Sequence, residues 1–78
     1  MLSPEALSTF LSELADALEI DQSSLNQSTS FDEIDWDSLA VISAIALIDE
    51  NFSVMIPGED ISNCKGMPDL LSLIETRS

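Results

Sequence analysis

Apolar residues recur at spacings of three and four near the start of the chain, which predicts an amphipathic first helix. The stripe follows Ser3, a candidate N-cap, Pro4, which suits the first helical position, and Glu5, which suits the positive end of the dipole. These signals place the helix at about residues 4–19. The members of the stripe are Leu7, Phe10, Leu11, Leu14 and Leu18.

Between Asp21 and Asp37 the periodic pattern ends, and residues that hydrogen-bond their own backbone predict a long loop. Three isolated apolar residues interrupt this polar stretch: Leu25, Phe31 and Ile34. A connection of this length in a small domain usually carries function or needs anchors of its own. We therefore expect these three side chains to hold the loop on the core, with a helical turn near residues 31–34.

The next segment, from Leu39 to Ile48, is almost entirely apolar, yet it is too short to span a bilayer. Its lack of Gly and Pro favours a helix, although its β-branched residues leave a strand open. On a helix, one face carries Ile42, Ile45, Ile48 and Phe52, and a roughly opposite face carries Ala40, Ser43, Leu47 and Glu50. An apolar run this complete indicates that the second face also contacts a partner or a ligand.

Two further helical segments follow, and each begins at a proline. Ile56-Pro57 forces an extended residue before a turn, so the residues from Gly58 to Ile61 are a candidate short helix. A last helix begins at Gly66-Met67-Pro68, and Arg77 suits the C-terminal end of its dipole. Its apolar residues are Leu70, Leu71, Leu73 and Ile74. The predicted fold class is all-α: a four-helix bundle with three main helices, one short helix and a long first loop.

The charge balance changes this picture by excluding whole classes of partner. The chain has 78 residues, 15 acidic and 2 basic, and a formal net charge of −13. Its length predicts a single domain over residues 1–78. Nucleic acid and anionic membrane both select clustered Lys and Arg, whereas only Lys65 and Arg77 are present, so we expect neither as a partner and no membrane insertion.

The residue types that are missing narrow the chemistry further. With no histidine and only Cys64, the chain cannot build a nucleophile–histidine pair or a zinc site of the usual kind, which excludes the enzyme classes that depend on them. A single cysteine fits a reducing compartment, and Met1 to Pro4 lack the pattern of a signal peptide. We therefore expect a cytoplasmic location. We also expect the protein to be a monomer, and we expect Cys64 to be a small buried hydrophobic residue.

Acidic residues around the end of the long loop do not form a calcium-binding pattern. Counted from Asp35, the fifth and sixth positions are Leu39 and Ala40, where an EF-hand loop needs an oxygen ligand and a glycine. We therefore expect no metal site, and we interpret these carboxylates as a solvated surface whose field attracts basic partners.

The candidate chemistry lies in Asp37-Ser38-Leu39, which Trp36 precedes. The pattern puts the Ser38 hydroxyl at the first position of a helix, where backbone N–H groups and the dipole would stabilise a phosphodiester. Asp37 would cap the helix or position a metal-bound donor during modification. The tripeptide is also an ordinary capping sequence, so these residues alone leave both interpretations open.

The chain resembles the acyl carrier proteins from about Leu7 to Ile74. Residues 30–39 carry the centre of the resemblance, and they read Ser-Phe-Asp-Glu-Ile-Asp-Trp-Asp-Ser-Leu. The resemblance continues through the apolar spacing of residues 39–48, the acidic residues that end this segment and the Ile56-Pro57 turn.

This resemblance implies a four-helix bundle of the acyl-carrier type that bears one covalent cofactor. In that family a carrier-protein synthase attaches 4′-phosphopantetheine from coenzyme A to the serine of this motif, which is Ser38 here, flanked by Asp37 and Leu39. The arm holds acyl groups as thioesters and delivers them to fatty-acid, polyketide or related biosynthetic enzymes. The resemblance thus implies a carrier rather than a catalyst.

The expected partners are the synthase and acyltransferases, ketosynthases or acyl-activating ligases with basic docking patches. The residues expected to contact them are Trp36, Asp37, Leu39, Ile42, Ser43, Leu47, Asp49, Glu50, Glu59 and Asp60. The segment Ile34-Asp35-Trp36 lacks the glycine that usually precedes the Asp-Ser-Leu motif and is one residue shorter than in the family. At four further positions this chain departs from the common family pattern, and these departures indicate specialised partners. They are Ala40 and Ser43, which stand where many members have acids, Ala46, and Gly58, which replaces an acid.

Two alternatives remain at this level. An aminoacyl or peptidyl carrier uses the same arm for a different cargo. An unmodified acidic interaction module, such as a mimic of nucleic acid, would use the charge without any arm.

Overall fold

Four helices and one long connection make up the fold in the computed structural model, which describes residues 2–77. The helices are α1 (Pro4–Ala17), α2 (Ser38–Phe52), α3 (Gly58–Ser62) and α4 (Met67–Arg77). Two 3₁₀ turns, Gln22–Ser24 and Phe31–Glu33, lie in the connection between α1 and α2. Over residues 2–77 there is no β-strand, only an isolated antiparallel bridge between Ser30 and Gly66. The all-α prediction is confirmed.

The first helix begins where the sequence predicts and ends earlier. Ser3 occupies the N-cap position, but its side chain makes no capping hydrogen bond, so the predicted side-chain cap is wrong. The helix ends at Ala17 because Glu19 adopts the left-handed conformation, with φ of 58°. The Glu19 N–H then donates to the carbonyl oxygen of Asp16 at 3.1 Å, which satisfies the end of the helix.

The core lies between α1, α2 and the shorter segments that cover them. Phe10 of α1 meets Phe52 of α2 edge to face, with ring centroids 5.6 Å apart. Asn51 adds a polar tie, because its Nδ2 donates to Oε1 of Glu13 at 3.0 Å. The largest fully buried side chains are Phe10, Leu14, Ile48, Ile56, Ile61, Met67, Leu70 and Ile74. Every α-helix therefore contributes to one continuous core.

The faces of α2 differ from the sequence prediction. Ala40, Ala44 and Ile48 are fully buried, at spacings of four residues, whereas Ile42 is 61% exposed. The predicted grouping of Ile42 with Ile48 on one face, opposite Ala40, therefore does not match the division of α2 into a buried and an exposed side. In a run that is apolar on all sides, periodicity cannot distinguish the faces. Packing decides instead, and here two small alanines lie on the buried side.

The long connection is held against the turn between α3 and α4 by its backbone. The Phe31 N–H donates to the Lys65 carbonyl at 3.0 Å, and the Met67 N–H donates to the Thr29 carbonyl at 2.7 Å. A Cβ added to Gly66 would lie 2.9 Å from that same Thr29 oxygen, which real Cβ atoms do not tolerate. Only glycine therefore fits here, and we call residues 29–31 with 65–67 the loop–turn contact.

The anchors predicted for the long connection are confirmed. Leu25 and Phe31 are buried, and Ile34 is half-buried against the core. The expected helical turn is present as the second 3₁₀ turn. A capping box begins it, in which the Ser30 N–H donates to Glu33 Oε2 at 3.1 Å. The segment before α2 is thus an ordered part of the fold.

Candidate functional site

Ser38 is the first residue of α2, and its side chain is exposed. Asp37 precedes it as the N-cap in an extended conformation, as the sequence predicts. The Ala40 N–H donates to Asp37 Oδ1 at 3.0 Å, and the Val41 N–H donates to the Asp37 carbonyl at 3.1 Å. These two bonds fix the first turn, so the Ser38 hydroxyl projects from a rigid helix start.

The start of α2 suits an anionic group on Ser38. The first N–H groups of any helix lack partners within that helix, and the dipole adds partial positive charge. Asp37 Oδ1 takes up the N–H of Ala40. A phosphodiester on the Ser38 hydroxyl would lie beside the backbone N–H groups of Ser38 and Leu39, which precede Ala40 in the first turn. The residues present therefore fit a phosphate-linked prosthetic group at this position.

An aromatic stack holds the chain just before the serine. The rings of Phe31 and Trp36 lie parallel, with centroids 3.8 Å apart and an interplanar angle of 6°. Within residues 2–77, Trp36 Nε1 is a buried side-chain nitrogen without a hydrogen-bond partner. Stacking on Phe31, rather than a hydrogen bond of the indole, therefore orients this ring.

A groove of about 520 Å³ lies beside Ser38, between α2 and α3. Its long wall is apolar and comes from Val41, Ile42 and Ile45, while Gly58 and Ser62 line it from α3. Trp36, Asp37 and Ser38 complete its lining. An apolar group tethered to the Ser38 hydroxyl can therefore enter this cavity between α2 and α3, which we call the groove.

A second cavity, of about 780 Å³, shares Trp36 and Asp37 with the groove but has a polar character. Its other lining residues are Phe31, Asp32, Ile34, Asp35, Cys64 and Lys65. Ser38 does not line it, and three carboxylates do. It is larger than the groove, yet it lacks the serine and places charged side chains among its apolar ones, so the groove is the better candidate for a tethered apolar cargo.

Cys64 lies in the turn between α3 and α4 and is half-buried, less enclosed than the sequence predicts. Its Sγ donates to the Asp60 carbonyl at 3.5 Å. Burial chiefly raises the pKa of the Cys64 thiol, and the carboxylates of Asp69 and Asp60 raise it further. Because the thiolate is the nucleophilic form, Cys64 is a poor nucleophile at neutral pH.

The residues predicted to contact partners lie at different depths. Leu39 is 71% exposed, and Ile42 is 61% exposed. Asp37, Asp49, Glu50 and Glu59 are also exposed, whereas Trp36, Ser43, Leu47 and Asp60 are half-buried. Asp60 is engaged within the fold, because its Oδ2 accepts a hydrogen bond from Arg77 Nη2 at 2.7 Å.

The exposed side of α2 forms one stripe that begins next to Ser38. Leu39, Ile42, Ala46 and Asp49 are exposed and follow one another at spacings of three and four. The stripe is apolar near the serine and acidic at its far end. The structure therefore brings together only part of the predicted contact set on one face.

Sequence reasoning missed the residues that build the groove. Val41, Ile45, Gly58 and Ser62 line it, and none of them was predicted as a site residue. The continuous apolar run of α2 was the one signal, because it indicated a ligand or partner on a second face. Its pairing with Gly58 needs the fold, since α3 follows in a separate segment.

The described part of the chain has neither a metal cluster nor a membrane helix. Residues 2–77 contain no group of three or more His, Cys, Asp or Glu side chains arranged to hold a metal ion. None of the helices within these residues has the length and hydropathy needed to cross a bilayer.

Comparison with known proteins matches most of the chain to one family. The family model described as "Phosphopantetheine attachment site" matches residues 8–74. A protein named "Acyl carrier protein" from Lactobacillus acidophilus is 28% identical over 64 residues, which cover 81% of this chain and 80% of that protein. The match to the family model spans all four helices from within α1 into α4.

Proposed function

This chain belongs to the phosphopantetheine-attachment family of carrier proteins, and we propose that it is an acyl carrier whose arm is attached to Ser38. The family's cofactor is 4′-phosphopantetheine, and the fold is the all-α bundle of carrier proteins. The finer parts of the proposal concern the attachment residue, the cargo and the partners.

One observation carries the assignment to Ser38: its exposed hydroxyl begins α2 and also lines the groove. Attachment joins the Ser38 Oγ to the phosphorus of the phosphopantetheine moiety of coenzyme A. The bond from that phosphorus to adenosine 3′,5′-bisphosphate breaks, and the serine proton passes to the synthase. Once bound, the arm supplies a terminal thiol that holds cargo as a thioester.

Asp37 and Leu39 have different roles on either side of the serine. Asp37 holds the first turn through its bond from the Ala40 N–H, so it fixes the backbone from which the Ser38 side chain projects. Leu39 is 71% exposed and makes an apolar contact available to an enzyme that approaches Ser38. We propose that Asp37 positions the serine and Leu39 contacts the synthase.

The exposed stripe of α2 is the proposed docking face for the synthase and for acyltransferases, ketosynthases or acyl-activating ligases. Leu39 and Ile42 of the stripe would fill an apolar depression on the partner, while Asp49 at its end and the adjacent exposed Glu50 would pair with a basic patch. The net charge of −13 supports fast encounter with such a patch. Asp60 contributes less, because Arg77 already pairs with it.

Docking can be tested by the rate at which the synthase modifies the protein. Glu50→Lys on α2 should slow modification at low salt, and Leu39→Ala should slow it at any salt. Asp16→Lys is the matched control, because Asp16 is exposed on α1 and its reversal changes the net charge equally. Equal slowing by Asp16→Lys would mean that charge acts without a defined face.

The attachment itself is tested by intact mass after incubation with coenzyme A and a carrier-protein synthase. We expect the wild type to gain one phosphopantetheinyl group and Ser38→Ala to gain none. Ser62→Ala is the matched control, because Ser62 is also an exposed serine that lines the groove, and it should gain the group normally.

Each alternative predicts a different result in this experiment. An unmodified interaction module would show no mass gain with any promiscuous synthase, and that result would overturn the proposed function. An aminoacyl or peptidyl carrier would gain the arm as well. The thioester isolated from cells would then separate it from an acyl carrier.

A further inference from the structure

The structure gives Gly58 no backbone reason to be glycine. It is the first residue of α3, and within residues 2–77 neither glycine has a positive φ. An L-amino acid can therefore adopt this conformation. Glycine also lowers the stability of a helix relative to alanine. What distinguishes Gly58 is the space that its missing side chain leaves.

That space belongs to the groove. A Cβ added to Gly58 would lie 3.4 Å from Ile45 Cδ1 and 3.4 Å from Val41 Cγ1. Both atoms are on the α2 wall of the groove, which Gly58 itself lines from α3. A methyl group at position 58 would therefore already touch the α2 wall, and a branched side chain would close this part of the groove.

We propose that Gly58 determines cargo specificity, by keeping the groove open for a neutral apolar acyl chain tethered to Ser38. This inference rests on the proposed function and goes further by naming the residue that sets the size of the cargo. A branched side chain at position 58 would exclude the chain from the groove while leaving the attachment serine intact.

The chemistry of the walls selects the class of cargo. Val41, Ile42 and Ile45 present only hydrocarbon, which is favourable for an alkyl chain. The one charged group in the lining, Asp37, accepts the Ala40 N–H at the helix start. A cargo that ends in an ammonium group would have to bury its charge against the α2 wall without a partner, which is costly. The groove therefore favours a cargo with an apolar end over one with a charged end.

The experiment compares the melting temperatures of holo and octanoyl forms, loaded by the synthase from coenzyme A and octanoyl-coenzyme A. For the wild type we expect the octanoyl form to melt higher by roughly 4–8 °C, because buried methylene groups stabilise only the folded state. The 8-aminooctanoyl form should show little of this rise, because its charged end remains in water.

Two variants and one control locate the effect. Gly58→Val should abolish the rise caused by the octanoyl chain, and Gly58→Ala should reduce it. Asn63→Val places the same side chain at the end of α3, at an exposed position that does not line the groove, so its rise should match the wild type. Cleavage of the octanoyl thioester by hydroxylamine gives a second readout. It should be faster in Gly58→Val than in Asn63→Val.

The inference is overturned if the octanoyl rise persists in Gly58→Val, or if the wild-type octanoyl and holo forms melt together. If Gly58→Val does not fold, the hydroxylamine rate of Gly58→Ala decides, and a rate equal to the wild type contradicts the proposal. The mass gain on loading separates this failure from that of the proposed function. Variants that load normally without the expected shifts reject only the role of Gly58.

Discussion

The two glycines of this chain lie in regions that are built in different ways. At Gly66, an added Cβ would meet backbone atoms, with the Thr29 oxygen at 2.9 Å. At Gly58 it would meet only the ends of two side chains, at 3.4 Å. Side-chain ends can move by changing rotamer, whereas a hydrogen-bonded backbone cannot. The loop–turn contact is therefore rigid, and the groove is adaptable.

Ser38 lies where these two regions meet. The loop–turn contact holds Phe31 through a backbone hydrogen bond of 3.0 Å, and Phe31 in turn stacks on Trp36, two residues before the serine. On its other side, Ser38 lines the groove. This arrangement combines a fixed attachment point with a space that can accept cargo. We therefore expect substitutions in the loop–turn contact to lower the free energy of unfolding more than substitutions in the groove.

Phe31→Ala should have the largest effect, because Phe31 is buried in the core and also orients Trp36. Truncating a buried phenylalanine costs about 3–5 kcal/mol. A domain of this size has roughly that much net stability, so the variant should be largely unfolded in water. Urea denaturation followed by circular dichroism measures the loss.

Ile42→Ala is the matched control on the groove side. Ile42 is 61% exposed, so its truncation should change the free energy of unfolding by less than about 0.5 kcal/mol. If Phe31→Ala and Ile42→Ala cost the same, the distinction between a rigid side and an adaptable side is wrong.

Gly66→Ala should come next, because the new Cβ would push the Thr29 carbonyl out of its hydrogen bond with Met67. Overpacking of this kind costs about 1–3 kcal/mol. Gly58→Ala should be neutral or stabilising by at most about 1 kcal/mol, because alanine is the better helix former. Thermal melting of both variants compares the two glycines directly, and an equal loss at both positions would contradict the account.

Asp37→Ala should have an intermediate effect at the boundary between the regions. It removes the carboxylate that accepts the Ala40 N–H, and loss of an N-cap costs about 1 kcal/mol. Asp37→Asn keeps a side-chain oxygen at the cap and should retain most of the wild-type melting temperature. A drop as large in Asp37→Asn would show that the charge of Asp37, and not its capping bond, matters for stability.

Arg77→Ala should have the smallest effect. It breaks the 2.7 Å pair with Asp60 that ties α4 to α3, but the two side chains are 42% and 35% exposed. Solvent screens such a pair, so it contributes about 0–1 kcal/mol and less at high salt. Lys65→Ala removes the other cation of the chain and is the control for net charge. A large loss specific to Arg77→Ala would mean that α3 depends on this pair.

Much of the fold follows from local pattern. The proline-marked starts of α1, α3 and α4 and the anchors Leu25 and Phe31 were predicted because each depends on nearby residues. The buried face of α2 was not, because a run that is apolar on all sides leaves the choice to packing. The fold selects the small side chains of Ala40 and Ala44 for the inside, and no periodicity distinguishes them from Ile42.

The site divides in the same way. Ser38 and its cap Asp37 are adjacent in sequence, so the motif alone indicated capping as one of two roles for Asp37, and the structure contains that capping bond. The groove forms where α3 approaches Val41 and Ile45. The position of Gly58 against these two side chains can be recognised only when that approach is known. The loop–turn contact likewise joins residues far apart in sequence through their backbones, which carry no sequence signal.

The most direct test of the central claim is to map the modified residue. The protein is incubated with coenzyme A and a carrier-protein synthase, cut by a protease specific for acidic residues, and its peptides are fragmented in a mass spectrometer. We expect the phosphopantetheinyl group on Ser38, in the peptide that follows Asp37. Modification of another serine, such as Ser43 or Ser62, or the absence of any modified peptide, would contradict it.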